Sequence, residues 1–177
     1  MKRKKKIYIK IGILGGTFDP PHKGHFYISK IALKKLRLKK ILWIITKKNP
    51  LKNKPYLKLK VRMKLSKKIT KKNKKISIKY FDTKIRSTST FNLLNYIKKK
   101  TKADLFFLMG ADNLIKFHKW NNWKKIPKLA KLVVFPRQNY GIGSPKPIAA
   151  KRLNKKDLIY IKSKKINISS SLIRKFW

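Results

Sequence analysis

Eleven residues, Gly15-Gly16-Thr17-Phe18-Asp19-Pro20-Pro21-His22-Lys23-Gly24-His25, constrain this chain more than any other stretch. Before them runs an apolar segment, Ile7 to Leu14, with the character of a buried strand despite Lys10. After them Phe26, Ile28, Ile31, Ala32 and Leu36 recur at helical spacing within Phe26 to Leu38. Strand, glycine turn and helix start is the order in which an α/β protein offers free backbone N–H groups to an anion. The paired glycines allow a sharp turn and a close approach by a ligand. Asp19 can hydrogen-bond its own turn, and the prolines stiffen it. His22 and His25, three apart, share a face if both lie in the first helical turn. Lys23 adds charge to a helix end already positive through its dipole. Two imidazoles, an ammonium and free amides around one point suit a polyphosphate. The spacing is neither a Walker A loop nor the dinucleotide fingerprint. The same residue types also fit plain loop chemistry. A metal site through His22 and His25 has no cysteine, glutamate or clear third ligand nearby.

The rest of the chain repeats strand and helix patterns. Ile41 to Ile45 is a short apolar run of the kind buried in parallel sheets. It leads into Asn49-Pro50-Leu51-Lys52, where Asn-Pro favours an extended turn. Leu57, Val61, Leu65 and Ile69 make Leu57 to Thr70 an amphipathic helix, and Ile76 to Phe81 alternates as a strand. Ser89 or Thr90 can cap a helix over Phe91 to Lys98. Asp104 to Met109 reads as the central strand, with Gly110-Ala111-Asp112-Asn113 at its carboxyl end, the edge where open α/β sheets hold ligands. Asp112 there can accept from both hydroxyls of a ribose, lean on hydrated Mg²⁺, or cap a helix from Asn113. Trp120 and Trp123 are spaced so that both indoles can face the core. Leu132 to Phe135 and Asp157 to Ile161 complete the strands, and Gly141 to Pro147 reads as a mobile loop. Ser169 to Ser171 open a last helix with hydroxyls and free amides, and Arg174, one turn on, can fork onto phosphate or simply face solvent. The pattern predicts one Rossmann-like α/β domain over residues 1–177, with a mostly parallel sheet of about five to six strands and helices on both faces. A chain of 177 residues can bury about 70% of its unfolded surface in one such domain.

Composition matters for the choice of partner. Lys and Arg total 51 against five acids, a formal charge of +46, and all five acids are aspartates, at 19, 82, 104, 112 and 157. Such charge first suggests nucleic acid, where phosphate contacts dominate affinity. The lysines are spread along the whole chain, however, and isoleucine and asparagine are also plentiful, a pattern expected of a genome rich in A and T. Self-repulsion should then weaken the fold at low ionic strength, and thermal stability independent of salt would contradict that expectation. No apolar run is long enough for a membrane span. Met1 to Lys6 is basic, but a cleaved leader would remove the first strand, so none is expected. Zero cysteines exclude disulfides and fit a reducing compartment, with the cytoplasm as the expected location.

GGTFDPPHKGH resembles the signature of the HxGH-motif nucleotidyltransferases, and Ile168-Ser169-Ser170-Ser171-Leu172-Ile173-Arg174 is similar to that superfamily's I-S-S-T-x-I-R. The doubled glycine and His22 are most similar to the nicotinate mononucleotide adenylyltransferases. The resemblance implies adenylyl transfer from ATP to nicotinate mononucleotide with release of pyrophosphate. In that reading His22 and His25 hold the α- and β-phosphates, while Lys23, Ser170 and Arg174 stabilise the pyrophosphate. Gly15, Gly16, Thr17, Phe18, Asp112, Ile168 and Ser171 complete the ATP site, with Asp112 on the ribose. Lys52, Thr90, Trp120 and Arg137 meet the nicotinate nucleotide, Trp120 by stacking on its ring. Asn92 and Leu93 stand where the family usually has Asp and Thr, and Gln138 departs from its Arg-Pro-Gly. Mg²⁺ is expected on ATP rather than in a protein site. Two other expectations remain: a transferase of the same superfamily with another acceptor such as phosphopantetheine, and a nucleic-acid-binding protein on this fold.

Overall fold

The computed structural model describes residues 8–137, 147–164 and 168–177. Ile7, Gln138 and the Gly141–Pro147 loop except Pro147 fall outside these residues. The apolar runs form six strands: β1 (Lys10–Gly16), β2 (Lys40–Ile45), β3 (Ile76–Lys79), β4 (Asp104–Gly110), β5 (Ala130–Phe135) and β6 (Leu158–Tyr160). They make one sheet in the order β3-β2-β1-β4-β5-β6, every neighbouring pair parallel. This is the doubly wound order in which the chain reverses direction of travel between β1 and β4. The crevice over the carboxyl ends of those two strands is where such sheets hold ligands.

Helices α1 (Lys23–Lys35), α2 (Leu59–Thr70), α3 (Asp82–Ile85), α4 (Thr90–Thr101), α5 (Ala111–Lys116), α6 (Ile148–Arg152) and α7 (Ser170–Arg174) connect and cover the strands. Period-two alternation sorts the strand side chains into two cores. Ile11, Ile13, Leu42, Ile44, Leu105 and Phe107 face Leu94 and Ile97 of α4 and Leu114 of α5. Leu14, Ile41, Trp43, Ile45, Phe106 and Leu108 face Ala32 of α1, with Leu59 and Met63 of α2 packed alongside. Trp43 is fully buried, and cutting such a side chain to alanine costs about 3–5 kcal/mol.

Boundaries differ from the sequence reading in instructive ways. Gly15 and Gly16 belong to β1, paired with Ile44 and Ile45 of β2. Helix α1 begins at Lys23, so both histidines lie at its start, and Leu38 leaves the helix to enter the core. In α2 the buried positions are Arg62, Ser66 and Thr70, while Val61 is 41% exposed. The expected Leu57–Val61–Leu65–Ile69 stripe is thus offset by one residue, because Arg62 finds enough acceptors to be buried. No helix among the described residues is long and apolar enough to cross a membrane.

Candidate functional site

The turn after β1 reverses at Phe18, whose φ of 51° is left-handed, not at the glycines. Bulky residues rarely adopt that conformation. Phe18 is held there by burial and by stacking on Trp43, with centroids 5.0 Å apart. A Cβ built on Gly15 would lie 3.5 Å from Phe107 Cε2, and one on Gly16 3.6 Å from Phe18 Cε2, both ordinary contacts. A Cβ at either position therefore meets no clash within the protein. What it would fill is the open space above β1.

His22 and His25 hold each other in place. The His22 N–H donates to His25 Nδ1 (3.2 Å), and the His25 N–H donates to the His22 carbonyl (3.0 Å). The ring centroids are 3.8 Å apart. Since Nδ1 of His25 accepts, its neutral ring carries the proton on Nε2. The same ring lies 4.7 Å from Phe18 and edge-on to Trp43. Beneath it, Ser29 Oγ donates to the His25 carbonyl and accepts from Trp43 Nε1, each at 2.8 Å. Gly24 has a packing reason: a Cβ there would come within 2.8 Å of His22 Nδ1 and 3.0 Å of Ile168 Cγ2. Burial, helped by the Arg137 guanidinium, lowers the His22 pKa to about 4. Burial also carries His25 well below its ordinary value, with His22, Arg137 and Lys52 adding to the effect. Both imidazoles are neutral at pH 7 and act as hydrogen-bonding groups rather than as cations. His22 Nδ1 is buried and has no hydrogen-bond partner among the described residues.

The last helix closes onto this turn. Ser169 caps α7 by accepting from the Leu172 N–H (3.0 Å). Ser170 Oγ donates to the Pro20 carbonyl (2.8 Å), and the Arg174 guanidinium donates to the Asp19 carbonyl. Arg174 also lies 3.8 Å from Asp19 Oδ2 and over the Tyr56 ring, 5.1 Å from its centroid. Two segments about 150 positions apart thus share one wall.

Between them opens a cavity of about 720 Å³. Gly15, Gly16, Thr17 and Phe18 form its floor, with His22 and His25 beside them. Ile168, Ser170, Ser171 and Arg174 line it from α7 and the segment before it; Lys52, Trp120 and Arg137 line the remaining sides. A second cavity of about 530 Å³ adjoins it and shares Gly15, Gly16, Asn49, Leu51, Phe107 and Trp120. Its far wall is Ser87 to Thr90, entering α4, together with Asn92, Lys119 and Asn121. Thr90 belongs to this second cavity alone. Ser89 occupies the N-cap position of α4, yet its Oγ is buried without a hydrogen-bond partner among the described residues. Trp120 packs edge-on to Phe107 at 5.9 Å and presents itself to both cavities, whereas Trp123 packs against Phe117.

Two expected residues lie off the wall. Lys23, the first residue of α1, is exposed and lines neither cavity. Asp112 lies in the first turn of α5, not at its N-cap, which is Gly110. Its Oδ1 sits 3.9 Å from Arg137 Nε, and Gly110 and Asn113 supply the cavity wall instead. Asp19 also departs from expectation. Its carboxylate accepts from the N–H groups of Tyr56 (2.8 Å) and Leu57 (2.9 Å), a different segment from its own turn. Sequence reasoning missed Tyr56, Asn113, Phe107 and the Ser87–Ser89 wall as lining residues, and Arg62 and Asp82 as the supports of the intervening loop. One signal was available: with five acids among 51 cations, each aspartate is a scarce resource, and three of them (Asp19, Asp82, Asp112) lie around this site.

Residues 13–176 match the cytidylyltransferase-like family model. A Pelagibacter ubique protein named "Probable nicotinate-nucleotide adenylyltransferase" is 53% identical over 166 residues, covering 94% of this chain and 92% of its own. A Ruegeria protein of the same name is 37% identical over 128 residues, 72% of this chain and 67% of its own. Among solved structures, Plasmodium falciparum nicotinic acid mononucleotide adenylyltransferase complexed with NaAD has a TM-score of 0.79 at 23% identity, covering 96% of this chain and 84% of that one. At that identity the likeness is one of fold.

Proposed function

The chain belongs to the nicotinate-nucleotide adenylyltransferases of the cytidylyltransferase-like family, and from that premise we propose that it transfers the adenylyl group of ATP to nicotinate mononucleotide, yielding nicotinate adenine dinucleotide and pyrophosphate. The observation that carries this reading is the pair of adjoining cavities at the β1/β4 switch point. The larger is walled by both motif segments, and Trp120 stands between the two. One cavity suits a triphosphate and the other a flat ring, with room for the acceptor phosphate where they meet.

In this mechanism a phosphate oxygen of the mononucleotide attacks the α-phosphorus of ATP. The bond from that phosphorus to the bridging oxygen breaks, and pyrophosphate leaves with the electron pair. The attacking phosphate is ionised near neutral pH, so no general base is needed. The protein contributes alignment and preorganised donors. Neutral His25, through its Nε2–H, and His22 would donate to the α- and β-phosphate oxygens. Ser170 and Arg174 would meet the departing pyrophosphate, Arg174 exchanging the Asp19 carbonyl for phosphate oxygens. Lys52 and Arg137 would receive the acceptor phosphate, and Trp120 and the Ser89–Thr90 turn the nicotinate. Lys23 has no place in the wall and no role in this reading.

Mg²⁺ belongs here as part of the substrate, MgATP. Asp19 spends both carboxylate oxygens on the amides of Tyr56 and Leu57, and Asp112 leans on Arg137. That donor set does not make a resident site, and a magnesium ion on a nucleotide keeps several waters. The cysteine-free sequence supports a cytoplasmic setting.

The test is pyrophosphate release from ATP with nicotinate mononucleotide, nicotinamide mononucleotide, phosphopantetheine or no acceptor. The nicotinate compound should give the highest kcat/KM. Turnover of phosphopantetheine with none of nicotinate mononucleotide would overturn the proposal. Oligonucleotide binding should collapse as salt rises to physiological strength and show no sequence preference.

A further inference from the structure

The base of the loop between β2 and α2 is organised around a residue that lines neither cavity. Arg62, in the first half of α2, is 2% exposed. Its Nε donates to the Leu57 carbonyl (2.9 Å) and Nη1 to the carbonyls of Thr17 (2.6 Å) and Thr46 (2.8 Å). Nη2 donates to the Lys47 carbonyl (3.2 Å). Thr46 and Lys47 open the loop, Leu57 ends it, and Thr17 belongs to the turn after β1. One guanidinium therefore joins both ends of the loop to the phosphate-side turn. Two carboxylates complete the anchoring through the opposite kind of group. Asp82 accepts from Thr46 Oγ1 and from the Lys47 N–H, each at 2.7 Å. Asp19 accepts from the N–H groups of Tyr56 and Leu57. The segment between the anchors carries Asn49, Leu51, Lys52 and Tyr56 into the cavity walls.

We propose that Arg62 is a positioning residue for the acceptor half of the reaction: it holds the loop from Lys47 to Tyr56 in register with the Thr17 turn, so that Lys52 faces the acceptor phosphate. The kinetic part of this inference rests on the proposed function; the structural part does not. Buried charge without full pairing is unfavourable, and here every hydrogen bond goes to a main-chain carbonyl, which fixes backbone rather than another side chain. Lysine keeps the charge but has one point of donation and cannot fork to four carbonyls in three segments.

The experiment compares wild type, Arg62→Lys and Asp82→Asn by steady-state kinetics and by limited trypsin digestion mapped by mass spectrometry. Arg62→Lys should raise KM for nicotinate mononucleotide about tenfold, with KM for ATP changed less than about threefold. Cleavage after Lys47, Lys48 and Lys52 should accelerate by about tenfold while cleavage elsewhere is unchanged. Asp82→Asn, which leaves Arg62 in place, should give the same pattern at about threefold, and the double variant should be less than additive because both anchor one segment. Should Arg62→Lys fail to fold, Asp82→Asn alone decides by the same two readouts. Unchanged loop cleavage in these variants, or acceleration spread evenly over the chain, overturns the proposal. A wild type that makes no dinucleotide refutes the proposed function, yet the cleavage map still decides the role of Arg62.

Discussion

The two cavities are built by opposite strategies. The larger takes most of its chemistry from two short stretches, Gly15 to His25 and Ile168 to Arg174, whose polar atoms hold one another: His22 with His25, Ser170 with Pro20, Arg174 with Asp19. The smaller is assembled from the Asn49–Leu51 loop, the Ser87–Thr90 turn and the Trp120–Asn121 segment, three stretches far apart in the chain. Phosphate chemistry needs several donors at fixed spacing, and local sequence can fix that spacing. A flat ring needs a face to lie on and a few polar contacts, which many combinations of loops supply. In the proposed function the phosphate side is thus written as a motif, and the acceptor side as a fold.

Mutations should separate the two. The largest effect is expected on the phosphate side: His25→Ala should lower kcat by about a hundredfold, as loss of one preorganised donor typically does, with KM for nicotinate mononucleotide within about threefold. A loss of kcat under threefold would remove His25 from the mechanism and with it the distinction between the cavities. Trp120→Ala should do the converse, raising KM for the mononucleotide about tenfold and leaving kcat within about threefold. A parallel thermal melt checks its second role, since Trp120 also packs on Phe107 and Phe117.

A separate effect, on stability rather than turnover, is its dependence on pH. His22 and His25 line the larger cavity and not the smaller. Folded His22 takes a proton only near pH 4, against about 6.5 in the unfolded chain. Between those values the unfolded state binds more protons, so stability falls as pH drops from about 6.5 to 4, by up to about 3 kcal/mol from His22. Lowered His25 acts in the same direction. Above pH 6.5 the slope fades, and by about pH 8 neither contributes. Denaturant titrations of wild type and His22→Gln across pH 4–8 should show a weaker dependence in the variant.

How much of this was legible in the sequence follows from the same contrast. The strand–turn–helix unit and the parallel sheet were readable because each rests on spacing within a few residues or on strand order; the meeting of the turn with Arg174, 155 positions away, was expected only through the family resemblance of the two motifs. Which Asp serves which partner was not. Asp19 left its own turn for Tyr56 and Leu57, and Asp112 faced Arg137 rather than the cavity, because those choices depend on acceptors and donors brought near by other elements. Arg62 was hidden for a related reason: an arginine between Val61 and Met63 reads as solvated until four carbonyls are found around it.

The central claim is that the adjoining cavities seat the two reactants of one reaction side by side. Calorimetric titration of nicotinate mononucleotide into protein saturated with a non-hydrolysable ATP analogue tests it directly. Binding at one equivalent, with affinity equal to or better than without the analogue, is the predicted result. Displacement of the analogue by the mononucleotide, each excluding the other, would contradict it.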